Sequence, residues 1–282
     1  MFKTLAPVRW GFLSVVLSGL IVAPASTNEH SKVTKPTPQE IIERLKDGNE
    51  RFVRGESRHP NLDKTRLLQA GTQNQADHAI ATVITCSDSR VPVELVFDVG
   101  IMDIFVIRVA GNVCDNDEVG SIEYGLGHVH TPLLVILGHS QCGAVTAVCG
   151  MLHGEKGPAE RNIPTLIDNV FPAARRAMEK HPNVVGGPLI EMAIEENVYQ
   201  GMRDLFERSP ETREWVKRGE VKVVGAIYDV ATGSVRWLDE GKAVEILAES
   251  ELPQTSHLLA NPSVEADSLI EPQPLQQSTI RN

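Results

Sequence analysis

Two segments of this chain combine residue types that could hold a metal and run hydrolytic chemistry on it: Cys86-Ser87-Asp88-Ser89-Arg90 and Gly138-His139-Ser140-Gln141-Cys142-Gly143. Zinc favours four-coordinate sites built from thiolate and imidazole. His139 and Cys142 form a chelating pair three residues apart, and Cys86 supplies a third soft ligand. Three protein ligands leave the fourth position to water, which is how a catalytic zinc differs from a structural one. Asp88 either closes that position by binding the metal or leaves it open by pairing with Arg90. Taken singly, each segment has a plain structural explanation, because a strand-end Cys often behaves as a small buried hydrophobe. Taken together, beside an Asp-x-Arg, they point to one catalytic zinc ion on Cys86, His139 and Cys142.

Such a site needs elements that bring two distant segments to one place. Three short runs rich in Val and Ile, residues His78–Thr85, Ile104–Val109 and Leu133–Leu137, are too short for helices and nearly continuous in their apolar character. Strands buried on both faces of a parallel sheet read this way. The two ligand segments directly follow the first and third runs, so parallel neighbouring strands would deliver both to the same sheet edge, where ligands collect in open α/β sheets. Helical patterns cover Pro38–Phe52, Val119–Val129, Ala144–Leu152, Thr165–Lys180 and Leu189–Arg218, with a break or kink expected at Asp47-Gly48-Asn49. Lys222–Asp229 and Ser234–Leu238, joined by Ala231-Thr232-Gly233, read as a hairpin. The fold class that follows is α/β: a central, mostly parallel β-sheet with an antiparallel edge, flanked by helices.

Composition narrows the function. The 282 residues are 41% hydrophobic and 23% charged, suiting one large globular domain, and the formal charge is −10. An acidic surface gains nothing from phosphate backbones, which excludes nucleic acid as the expected partner and favours a small-molecule substrate. Residues 1–25 read as a signal peptide: Lys3 and Arg9 precede an apolar run at 11–22, and Ala23-Pro24-Ala25 offers small residues for cleavage. The alternative is an uncleaved anchor or a misassigned start, although the run is short for a membrane span. Cleavage after Ala25 would remove two positive charges and no acids, taking −10 to −12, and would leave no stable membrane insertion. Export to the periplasm is the expectation, with a thylakoid lumen as the alternative. Residues 26–37 read as a linker, 38–245 as the zinc domain and 246–282 as a C-terminal tail rich in Pro, Gln and Ser. Export makes a Cys114–Cys149 disulfide one option, and two buried free thiols the other.

At the metal-binding segments the chain closely resembles the β-class carbonic anhydrases, in an exported bacterial form. Cys86-Ser87-Asp88-Ser89-Arg90-Val91-Pro92 is similar to the family's first motif, and Gly138-His139-Ser140-Gln141-Cys142-Gly143-Ala144 to its second. Phe105-Val106-Ile107-Arg108-Val109-Ala110-Gly111-Asn112 and Ser121-Ile122-Glu123-Tyr124 match between them, and the resemblance runs from about Pro38 to Leu238. It implies reversible hydration of CO2 to bicarbonate and a proton by zinc-bound hydroxide, with Cys86, His139 and Cys142 as ligands of one Zn2+ per subunit and an Asp88–Arg90 dyad orienting the nucleophile. It also implies a homodimer or higher homo-oligomer, and a small apolar substrate pocket lined by Phe105, Ala110 and Tyr124, some of it contributed by the neighbouring subunit. Ala110 is smaller than the valine often found there, which implies a roomier pocket.

Two departures from the family pattern stand out. Many members carry Gln-x-Pro ahead of the first strand, where this chain reads Gln75-Ala76-Asp77-His78-Ala79, leaving Gln75 as the candidate for that substrate contact. Members with an Asp-closed, bicarbonate-regulated site carry Trp where this chain has Val83, although Arg108 matches the arginine such sites use, so an open site is expected. His78, His128, His130 and His153 are available as proton carriers, each with a surface or structural role as the simpler explanation. Two other readings compete: hydrolysis of CS2 or COS on the same fold, and a non-catalytic site closed by Asp88. A thiol redox protein is disfavoured because no Cys-x-x-Cys occurs.

Overall fold

The computed structural model describes residues 34–252. Helix α1 (Pro38–Arg54) opens the domain with three mutually consistent signals. Thr37 and Glu40 form a reciprocal capping box, Pro38 occupies the first turn, and Gly55 closes the helix at φ 70°. The expected break at Asp47-Gly48-Asn49 does not occur, and α1 runs straight through it. Gly48 serves close packing instead: a Cβ there would lie 1.9 Å from the Phe97 carbonyl oxygen. Asn49 is buried and donates through Nδ2 to the carbonyls of Val96 and Gly233, at 3.1 and 2.8 Å, while its Oδ1 accepts from Val235 N–H at 2.8 Å. The tripeptide that suggested a breaker is a docking point for the helix.

Helix α2 (Lys64–Thr72), which the sequence pattern did not indicate, leads to strand β1 (Ala81–Thr85). Then follow the short helix α3 (Val93–Val96), strand β2 (Ile104–Arg108), helix α4 (Asn116–Gly127) and strand β3 (Leu133–His139). Helices α5 (Gly143–Leu152), α6 (Ile163–Asp168), α7 (Phe171–Lys180), α8 (Gly187–Arg208) and α9 (Pro210–Lys217) come next. Strands β4 (Lys222–Tyr228) and β5 (Val235–Trp237) and helix α10 (Gly241–Ser250) complete the described chain. The long helical span after Leu189 is two helices, because Ser209 caps α9 through the Thr212 N–H and Pro210 cannot continue α8. Residues 246–250, expected in the tail, belong to α10, where Ile246 and Leu247 are buried.

The strands form one five-stranded sheet in the order β2-β1-β3-β4-β5, parallel throughout except for the antiparallel β4–β5 pair, as the sequence predicts. Alternate side chains feed two apolar layers. Ile84, Leu134, Ile136, Val223 and Ile227 pack with α4, α5, α7, α8 and α10, while Val83, Leu133, Val135, Leu137 and Val224 pack with α1 and α3. β1 and β3 are buried along their whole length. β2 is not: it lies at the sheet edge with residues 104–107 half-buried and Arg108 exposed, so the expectation of burial on both faces fails there. Apolar continuity alone does not distinguish an edge strand from a central one.

Candidate metal centre

The register of β1 and β3 builds the site. Thr85 pairs with Leu137, so Cys86, one residue beyond β1, and His139, two residues past Leu137, emerge at the same carboxyl edge. Three residues on, Cys142 takes the N-cap position of α5, where the helix dipole favours a thiolate. Gln141 makes the turn between them possible by adopting the left-handed region, at φ 58°. Ser140 fixes the turn to β4, donating its N–H to the Tyr228 carbonyl at 2.9 Å and accepting the Val230 N–H on Oγ at 3.0 Å.

The ligand atoms of Cys86, His139 and Cys142 all lie within 4.8 Å of one another, and all three residues are buried. His139 Nδ1 is 2.9 Å from the Ser140 carbonyl oxygen. A carbonyl can only accept, so Nδ1 carries the hydrogen and Nε2 presents a lone pair. That Nε2 is buried with no hydrogen-bond partner. A buried, unpartnered imidazole lone pair beside two sulfurs is the donor set zinc takes, and the residues fit a zinc ion. Cys86 is held well below the usual thiol range, chiefly because the Cys142 thiol donates to it, with further donation from the Gly111 and Asp88 backbone N–H groups, against burial. Cys142 is pushed up because it gives its hydrogen to Cys86 and is buried.

Asp88 stands apart from this trio. Its Oδ1 accepts from Arg90 N–H at 2.9 Å and Arg90 Nε at 3.0 Å, and its Oδ2 accepts from Arg90 Nη2 at 2.7 Å. The Arg90 guanidinium holds its carboxyl well below the usual carboxylate range. Arg90 also donates from Nη1 to Gln141 Oε1 at 3.3 Å and from Nη2 to the Gln141 carbonyl at 3.1 Å, which ties the Cys86 loop to the His139–Cys142 loop. Arg108 clamps the first loop from below, donating to the carbonyls of Cys86 at 3.2 Å and Asp88 at 2.6 Å.

The proposed pocket residues do not all reach this place within one chain. Ala110 precedes Gly111, whose N–H donates to Cys86 Sγ at 3.3 Å. Phe105 pairs with Thr82 towards the far half of β2, and its ring lies 6.0 Å from that of Tyr124, which is 50% exposed. Gln75 lies in a single turn ahead of β1, at the opposite end of that strand from Cys86. Of the four histidines considered as proton carriers, His78 accepts from Arg66 on Nδ1 at 2.8 Å, and His153 Nδ1 donates to the Cys149 carbonyl at 2.8 Å. His128 stacks on Tyr124 at 5.1 Å, and His130 is an exposed residue at φ 57°. Cys114 and Cys149 are both buried free thiols, so the disulfide option falls. Two residues with no recognised role belong to the site's support: Gly111, and Asn197 of α8, whose Nδ2 donates to the Gly111 carbonyl at 2.8 Å. A single polar residue inside an amphipathic helix gives no signal of that kind.

Comparison with known proteins bears directly on this arrangement. The family model described as carbonic anhydrase matches residues 81–235, which spans both loops of the candidate metal centre. The chain belongs to the β-class carbonic anhydrase family. It is 33% identical to carbonic anhydrase 2 of Mycobacterium tuberculosis over 202 residues, covering 71% of this chain and 88% of the relative. The β-carbonic anhydrase CafA of Aspergillus fumigatus superposes with a TM-score of 0.57 at 25% identity, over 75% of this chain and 96% of CafA. One of two β-carbonic anhydrases from Sordaria macrospora, described as tetrameric, shares the fold with a TM-score of 0.54 at 21% identity, over 71% of this chain and 97% of that one. The three potential ligands of this carbonic anhydrase thus lie at or just beyond the carboxyl ends of β1 and β3, inside the matched region.

Proposed function

We propose that this protein hydrates CO2 reversibly to bicarbonate and a proton at a zinc ion held by Cys86, His139 and Cys142. The observation that carries the reading is the buried, partnerless His139 Nε2 facing two sulfurs in a chain of this family. A zinc ion bound there would supply Lewis acidity, letting water act as a nucleophile near neutral pH. The chain's own residues decide where that nucleophile points. Asp88 is ionised at working pH and therefore only accepts hydrogen bonds. Oδ1 already accepts two hydrogen bonds from Arg90, whereas Oδ2 accepts one and keeps a spare lone pair, so Asp88 can accept the nucleophile's hydrogen on Oδ2 and leave the nucleophile's oxygen lone pair facing the carbon of CO2. The new C–O bond forms as one C=O π bond opens onto oxygen, giving bicarbonate, and the released proton passes to solvent or buffer.

The Asp88–Arg90 pairing supports an open site: Arg90 donates three hydrogen bonds to the Asp88 carboxylate, which is not among the groups that gather with Cys86, His139 and Cys142. Assembly as a homodimer or higher homo-oligomer belongs to the same proposal. It is supported by the edge position of β2, by the exposure of Tyr124, and by the tetrameric description of the Sordaria relatives. A second copy could bring Phe105, Tyr124 and Gln75 to the site that one chain leaves them away from. Export to the periplasm, proposed from the leader-like residues 1–25, concerns residues outside the described ones. Stopped-flow CO2 hydration by the purified mature chain, alongside its metal content, tests the function. Stoichiometric zinc with rapid hydration is the expected result, and a zinc-loaded protein without hydration activity would overturn it.

A further inference from the structure

We propose that Asn197 is a positioning residue for the metal centre, holding Gly111 so that the Gly111 N–H stays bonded to Cys86 Sγ. The proposal rests on the reading of Cys86 as a zinc ligand and adds a residue 86 positions away in sequence from the glycine it holds.

The argument begins with the glycine. Gly111 adopts φ 75°, ψ 11°, and a Cβ there would lie 3.0 Å from the Ala144 Cβ, so the position requires glycine on both conformational and packing grounds. Glycine has no side chain to restrict its own backbone, and the one local hold on this turn is the Asn112 N–H donated to the Val109 carbonyl at 3.1 Å. The hydrogen bond to Cys86 Sγ, at 3.3 Å, therefore gains from a second, external hold on the glycine. Asn197 supplies it: the residue is 3% exposed, sits midway along the 22-residue α8, and donates Nδ2 to the Gly111 carbonyl at 2.8 Å. α8 also packs directly against β3, the strand that ends in His139, so its position is registered to the same site.

The chemical consequence lies at sulfur. Two thiolates neutralise most of the charge of a zinc ion and blunt its acidity. An N–H donated to a thiolate draws electron density off the sulfur and makes it a weaker donor. Asn197 therefore sets how strongly Cys86 donates, without touching metal or substrate.

The test uses full-length mature protein with zinc exchanged for Co2+, whose thiolate-to-metal charge-transfer band reports sulfur donor strength. In Asn197→Leu, which has similar bulk and no donor, the band moves to lower energy and CO2 hydration by the zinc form falls roughly 10- to 100-fold. Asn197→Ala also removes the donor, with no bulk to misfit; it gives the same shift and serves where the leucine variant does not fold. Leu205→Ala, a buried truncation on the same helix, loses stability yet keeps the wild-type band. Asn197 variants with a wild-type band overturn the proposal, however much activity they lose. A wild-type protein with no thiolate band overturns the zinc reading and this inference with it.

Discussion

Replacing Asp88 by Asn separates orientation from metal binding. The carboxylate accepts three hydrogen bonds from Arg90, two on Oδ1 and one on Oδ2. Asparagine keeps the shape and can still accept two of them through its oxygen. Its amide nitrogen then meets Arg90 Nη2 donor to donor, so the fork opens and the side chain is no longer held. The substitution also puts an N–H where the nucleophile's hydrogen needs an acceptor. The three residues that gather around the metal position do not include Asp88, so zinc content should not change. Loss of an outer partner of this kind lowers activity roughly 10- to 100-fold, equivalent to about 1.4–2.7 kcal/mol of transition-state stabilisation. If Asp88 acts only while Arg90 holds it, the Asp88→Asn, Arg90→Leu double variant is no slower than the worse single one. Stopped-flow hydration with metal analysis on all three variants decides the matter. Asp88→Asn within twofold of wild type, or activity lost in step with zinc, would refute the orienting role.

Cys142→Ser removes one of the two soft ligands, and metal analysis should find the zinc lost together with activity. Gly48→Ala, ordinarily stabilising in a helix by about 1 kcal/mol, should instead destabilise by about 1–3 kcal/mol, because the new methyl meets the Phe97 carbonyl; thermal melts should show a lower Tm. Asp204 is half-buried on α8 and its carboxyl is pushed up to about 6, chiefly by desolvation. The folded state thus holds this proton more tightly than the unfolded chain. Its contribution is present below the ordinary carboxylate pKa of about 4 and is lost as pH rises through about 6. Asp204→Asn should therefore raise stability at pH 7, by up to about 3 kcal/mol, with the gain fading towards pH 4 in urea titrations.

The gathering of Cys86, His139 and Cys142 was legible in the sequence because parallel strands convert a linear coincidence into a spatial one. Cys86 follows β1 directly and His139 closes β3, so the adjacency of these strands makes the site almost unavoidable. The sheet's antiparallel edge was equally readable from the turn at Ala231-Thr232-Gly233. What escaped were contacts whose partner is remote and whose residue type is ordinary. Asn49 looks like a breaker beside Gly48 until the hairpin it binds is known, and Asn197 looks like a polar interruption of a helix until Gly111 is seen beneath it. The half-exposure of β2 was hidden for a related reason: its apolar side chains look the same whether the strand outside them is missing or supplied by a neighbour. The residues assigned to the substrate pocket carry the same ambiguity, since Phe105 and Tyr124 pair with each other at a distance from the cysteines of their own chain.

The Arg90 bridge has a consequence for engineering. One guanidinium joins the aspartate of the first loop to the backbone of the second, so the two segments form a single cooperative unit. Grafting either peptide alone onto another scaffold would transplant ligands without their mutual spacing. A host would need two neighbouring parallel strands ending within two residues of each other, and room for an arginine to span the gap.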